Sequence, residues 1–148
     1  MASYFVDTEF NGFGGDIISF ALVRDDGAYL SLVFGCEKPV AWVKEHVMPH
    51  LYAGKVSHES PTIAVADAPK MIGTFLFGDP DPIVYADWPD DIRYFCSLLM
   101  PRPGFMIGVK NLTFKMIRCD AYPTTVEGAI QHNAYWDALA LRDYLMVK

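Results

Sequence analysis

The chain has 148 residues, 52% of them apolar, which suits one compact domain with its own core and excludes a disordered chain. Its net charge of −6 argues against a broad duplex-binding surface, which would show a basic footprint. No apolar run approaches the roughly 20 residues that cross a bilayer, and the first residues lack a basic stretch, apolar run and cleavage site, so a soluble, cytoplasmic protein with no membrane partner is expected.

In chain order, Tyr4 to Val6 is a short apolar run ending at Asp7 and predicts a strand. Asn11-Gly12-Phe13-Gly14-Gly15 is a turn-rich loop whose glycine spacing fits no phosphate-binding fingerprint. Ile17 to Val23 and Tyr29 to Phe34 predict two more strands, joined by the hairpin signal Asp25-Asp26-Gly27. Pro39 suits the first turn of a helix running to about Val47. His46 and His50 are four apart, but Pro49 disrupts the helix between them, so both are expected at the surface rather than on a metal.

Ser60-Pro61 predicts the start of a second helix that runs to Phe77 and is broken by Gly78 to Pro82. Ile83 to Ala86 reads as a fourth strand, Pro89 to Leu99 as a third helix, Met106 to Val109 as a fifth strand, and Gln131 to Met146 as the last helix. Three strands followed by alternating helices and strands predict a single α/β domain over residues 1–148, a mixed sheet of about five strands flanked by helices, with an antiparallel meander first. Cys36, Cys96 and Cys119 are odd in number and widely spaced, with neither a zinc nor a disulfide pattern, and are expected as mostly buried thiols.

Three short motifs carry chemistry. Asp7 and Glu9 alternate on the first strand and so face one side, with Thr8 turned into the core. Asp87, Asp90 and Asp91 crowd the junction between the fourth strand and the third helix, where one of them could cap the helix and others could complement its positive end. His132 and Asp137 lie near the start of the last helix. They project to different faces of a helix but can flank one centre if His132 belongs to the preceding loop. Asp137 sits among Ala134, Trp136, Ala138, Leu139 and Leu141, where an unpaired carboxylate is costly.

The order Asp-x-Glu, a mid-chain Asp, then His-x-Ala-x-x-Asp-Ala resembles the DEDDh 3′→5′ exonuclease superfamily, across nearly the whole chain from Asp7 to Asp137. The short chain and its few basic residues make it most similar to the compact bacterial RNase AS-type exoribonucleases. That resemblance implies an RNase H-like fold and hydrolysis of single-stranded RNA from its 3′ end to nucleoside 5′-monophosphates. Adenylate preference and a homodimer are implied with it. In the middle motif relatives carry Asn four residues before the catalytic Asp. Asp91 therefore matches the catalytic acid and Asp87 the Asn position, with Asp87 the alternative.

Asp7, Glu9, Asp91 and Asp137 would hold two Mg²⁺ ions, for which Mn²⁺ can substitute, since both take hard oxygen ligands. His132 would be the general base. Phe10, Phe13, Trp88 and Trp136 lie close in sequence to these residues. Phe10 and Trp88 are the preferred base-stacking candidates, and Thr8, Asn11 and Gly12 could contact the terminal nucleotide. Two other readings remain: a DNA-directed exonuclease of the same superfamily, and an inactive RNase H-like interaction module.

Overall fold

A computed structural model of the chain describes residues 2–109, 111–119 and 127–146. Five strands, β1 (Ser3–Phe10), β2 (Ile17–Arg24), β3 (Tyr29–Val33), β4 (Ile83–Ala86) and β5 (Thr113–Met116), form one sheet in the order β3-β2-β1-β4-β5. The first three strands pair antiparallel, whereas β4 pairs parallel with β1 and β5 parallel with β4. This is the mixed α/β sheet with an initial meander that the sequence predicts. Four helices flank it: α1 (Ala41–His46), α2 (Ala68–Leu76), α3 (Pro89–Leu98) and α4 (Ala134–Met146). Among the described residues no helix is long and apolar enough to cross a membrane.

Strand alternation sorts side chains to the two faces. Tyr4, Val6, Phe20 and Leu22 pack with Ile72 and Leu76 of α2 and Phe95 and Leu98 of α3 in the main core. On the other face Ala21 and Val23 meet Ala134, Tyr135 and Ala138 of α4. The alanines at i and i+4 let α4 lie close to the sheet, which brings Asp137 toward β1.

Two elements differ from expectation. The second helix does not begin at Ser60-Pro61. A 3₁₀ turn at Val65–Asp67 leads into α2 at Ala68. The preceding segment instead lies along the outer edge of β3. Ser57 and Ile63 donate backbone N–H groups to the Ser31 and Val33 carbonyls at 2.8 and 3.0 Å. In return Ser57 Oγ and His58 Nε2 accept the N–H groups of Ser31 and Val33. Satisfying an edge strand holds this stretch out of a helix despite its Ser-Pro start.

The fifth strand is Thr113–Met116, not Met106–Val109. Ile107 and Val109 pack on the main core from a loop, whereas β5 is an exposed edge with Phe114 turned in against Phe95. An apolar run was therefore the wrong signal for a half-exposed edge. Smaller shifts also occur. The first helix opens at Ala41 rather than Pro39, Met48–His50 forms a separate 3₁₀ turn, and α4 opens at Ala134, three residues after Gln131. The three cysteines are half-buried rather than mostly buried.

Candidate active site

The centre forms at the C-terminal end of β4, beside the middle of β1. Their parallel register pairs Phe5 with Tyr85. Asp7 and Asp87 each follow two residues later, Asp7 still within β1 and Asp87 just past the end of β4, so the register sets the two carboxylates side by side. The chain then turns into α3 at Pro89. Trp88 is the residue before the helix and makes no side-chain cap, so none of the three aspartates caps α3. Asp91 instead points back to β1 from the first turn. Its Oδ1 accepts the Thr8 hydroxyl at 2.7 Å and the Thr8 backbone N–H at 3.1 Å. Asp90 is engaged elsewhere, by Arg93 at 3.3 Å and the Trp88 indole N–H at 3.2 Å.

From the other side α4 delivers Asp137. Asn133 caps that helix, its Oδ1 accepting the Trp136 N–H at 3.1 Å. His132 stands just before the cap, in left-handed backbone with φ of 62°. The late helix start is what frees His132 from the helical wheel and lets it share a centre with Asp137. Asp7, Thr8, Glu9, Asp91, His132 and Asp137 all line one cavity of about 680 Å³.

Within it, oxygens of Asp7, Asp87 and Asp91 lie within 4.8 Å of one another, as do oxygens of Asp7, Glu9 and Asp137. Asp7 is common to both groups. Asp87 and Asp91 are therefore not alternatives in space, because both meet Asp7. Sequence spacing offers them as alternatives, and the structure sets both beside Asp7.

Crowding sets the electrostatics. Burial raises the Asp7 carboxyl well above its ordinary range, and Asp91, Asp137, Glu9 and Asp87 add to it. Glu9 is raised by burial, by Asp137 and Asp91, and by a hydrogen bond with Asp137. Burial pushes Asp91 up to about 7, opposed by its bonds from Thr8. Asp137 also rises to about 7 through burial, opposed by a backbone hydrogen bond from His132. Burial lowers the His132 imidazole, helped by His46 and His50.

These residues fit divalent cations. The donors are all carboxylate oxygens, the ligand type that Mg²⁺ and Mn²⁺ prefer. Asp7 Oδ2 is buried without a hydrogen-bond partner, a costly arrangement that a cation would relieve. Bound cations would also reverse the mutual repulsion that raises the carboxyl pKa values.

The predicted substrate contacts differ in how free they are. Trp88 is 48% exposed on the cavity wall, with the Arg118 guanidinium 5.1 Å from its ring. Phe10 lines the cavity but its ring stacks on Tyr94 at 4.8 Å. The Asn11 side chain ties its loop to Lys38 and Val40, donating to one carbonyl and accepting from one N–H. Gly12 reaches the cavity through a turn with φ of 76°, where a side chain would be strained. Thr8 is buried with its hydroxyl and its backbone N–H both donating to Asp91, so neither donor is free for a nucleotide. Phe13 is 94% exposed in its loop, outside the cavity lining. Trp136 lines the cavity and donates its indole N–H to the Ala53 carbonyl at 3.0 Å.

Sequence reasoning missed Trp42, which lines the same cavity from α1. The available signal was an indole beside Val43, the one buried residue of that six-residue helix. His46 and His50, expected merely as surface histidines, turn out to neighbour His132. No protein-family model matches the chain, and no curated protein matches it. The chemistry of the site is that of its own five carboxylates and one histidine.

Proposed function

We propose that this chain is a metal-dependent 3′→5′ exonuclease that hydrolyses single-stranded RNA to nucleoside 5′-monophosphates. The observation that carries the reading is Asp7, shared between two carboxylate groups and holding a buried oxygen with no partner. One carboxylate common to two oxygen-donor sets is what a pair of bridged divalent ions requires. Asp7, Glu9 and Asp137 would hold one ion, and Asp7, Asp91 and Asp87 the other.

Mg²⁺ or Mn²⁺ bound there would supply Lewis acidity toward the phosphodiester and lower the pKa of water. The chain's own residues do the rest. His132 takes the proton of the attacking water, and its lowered pKa keeps the imidazole neutral at pH 7, the form that accepts one. Thr8 holds Asp91 in place. Trp88, half-exposed on the cavity wall, offers a face for an unpaired base. Adenylate preference and a homodimer follow from the family resemblance and belong to the same proposal.

The test is incubation with end-labelled single-stranded RNA and DNA of equal sequence, with Mg²⁺ and with chelator. Stepwise loss from the 3′ end of RNA, stopped by chelator, is expected. Equal or faster loss from DNA would move the reading to a DNA exonuclease. No cleavage of either would leave an inactive interaction module.

A further inference from the structure

We propose that Trp42 is a positioning residue for His132, its indole setting where the imidazole stands at the carboxylate centre. This rests on the exonuclease reading, in which His132 is the base.

Two independent features hold His132. The first is its backbone. A φ of 62° is uncommon for a residue with a Cβ, and His132 is the one non-glycine with positive φ among the described residues. The next residue anchors it. Asn133 Nδ2 donates to the His50 carbonyl at 2.9 Å and, more weakly, to that of Leu51 at 3.4 Å. Gly54 closes over this anchor so tightly that a Cβ there would collide with Asn133 Oδ1 and Tyr135. The segment from α1 to Gly54 and the start of α4 are thus clamped as one unit.

The second feature is the side chain. The His132 ring meets Trp42 at 5.1 Å between centroids with an 82° interplanar angle, an edge-to-face contact. Trp42 is itself backed by His46, stacked at 4.6 Å, whose Nδ1 bonds the Trp42 carbonyl at 3.0 Å. His46 also lies 6.1 Å from His132. The stack therefore forms a wall against which the imidazole rests. The indole is 53% exposed, so the core does not need it. What it touches inside the cavity is the base.

A general base must stand within hydrogen-bond reach of the proton it takes, and small displacements cost much rate. Truncating Trp42 frees the His132 rotamer while every carboxylate stays in place. The loss should therefore appear in kcat rather than in cation or RNA affinity.

The experiment compares wild type, Trp42→Ala, Trp42→Phe, His132→Ala and the double mutant Trp42→Ala/His132→Ala. It uses a labelled single-stranded adenylate oligonucleotide in Mg²⁺. Trp42→Ala is expected to lower kcat by about 10- to 100-fold with KM unchanged, and Trp42→Phe to restore most of the loss. In the His132→Ala background Trp42→Ala should add nothing, because the group it positions is gone. Losses that add would overturn the role, as would a rise in KM of equal size in both backgrounds, the mark of a base-stacking wall. Either result, with chelator-sensitive cleavage by wild type, leaves the exonuclease reading standing. A wild type that cleaves neither RNA nor DNA overturns both. Independently of turnover, proton NMR of the chelated protein should show a ring-current shift on the His132 ring protons that Trp42→Ala removes. His132 resonances unmoved by that substitution would refute the contact.

Discussion

Thr8 and Asp91, 83 positions apart, are joined by two hydrogen bonds to a single carboxylate oxygen, at 2.7 and 3.1 Å. The residue between the two acids of β1 thereby orients the acid of α3. Both bonds come from one buried residue and end on Asp91 Oδ1. Removing the hydroxyl in Thr8→Val keeps the shape and the backbone bond. Loss of one bond to a charged group costs about 1.5–3 kcal/mol where the charge persists. Partners of metal-ligating groups typically contribute about 10- to 100-fold in affinity or activity. Mn²⁺ affinity by calorimetry should fall within that range, and wild-type affinity in Thr8→Val would show that Asp91 does not depend on this support.

Three neighbouring aspartates should separate by function. Asp87 and Asp91 each bring an oxygen within 4.8 Å of Asp7, whereas Asp90 is paired to Arg93 and Trp88. Asp87→Asn and Asp91→Asn are each expected to weaken Mn²⁺ binding and turnover. Asp90→Asn should change neither by more than about fivefold, because its carboxylate is taken up by Arg93 and Trp88 and a partly exposed ion pair contributes about 1 kcal/mol or less. An Asp90→Asn variant as impaired as Asp91→Asn would mean that the α3 assignment is wrong.

Stability should depend on pH in a direction opposite to that of most paired carboxylates. Asp91 and Asp137 titrate at about 7 in the folded chain, with Asp7 and Glu9 also raised. Unfolded carboxyls titrate near about 4. Between those values the folded state binds more protons, so apoprotein stability is greatest below the unfolded pKa and is lost as pH rises through about 7. His132, lowered by burial, works the other way near its own titration, but one group opposes four. Asp26, held at about 2 by Arg24, stays ionised throughout and adds no slope above pH 5. Melting in chelator should therefore move to lower temperature from pH 5 to pH 8, and saturating Mn²⁺ should abolish most of the fall. A chelated protein that gains stability over that interval would contradict the crowded-carboxylate account.

His132 and Asp137 share a motif but should fail differently. His132→Ala removes the proton acceptor, and general bases typically contribute about 10²- to 10⁴-fold. Cation affinity should stay near wild type. Asp137→Ala removes a ligand, so raised Mn²⁺ should recover part of its turnover and none of that of His132→Ala. Recovery of both by Mn²⁺ would assign His132 to cation binding rather than to proton transfer.

Much of the centre was legible because strand alternation is a local rule. Asp7 and Glu9 had to share a face, and Thr8 had to oppose them. The relation of Asp87 to Asp91 was not legible, because it depends on the parallel register of β4 against β1, a pairing across some 80 residues. The reach of His132 depended on where α4 begins. The cap that decides it, Asn133, is held by carbonyls of residues 50 and 51. Likewise the stretch before α2 reads as a helix start locally, and only the unpaired edge of β3 makes it extended. For Trp42 the local signal was only its place beside buried Val43, and its contact with His132 spans 90 positions.

The segment along β3 also governs how this domain can meet its own copies. With Ser57, His58 and Ile63 occupying the outer N–H and C=O groups of Ser31 and Val33, that margin of the sheet offers little to an incoming strand. The opposite margin is β5, four residues long, with Thr113, Lys115 and Met116 turned outward. Two copies that joined their sheets into one would have to meet through β5, over a stretch too short to hold them by backbone pairing alone. Among the described residues, a homodimer of the kind proposed would draw on side-chain surfaces more than on an extended sheet.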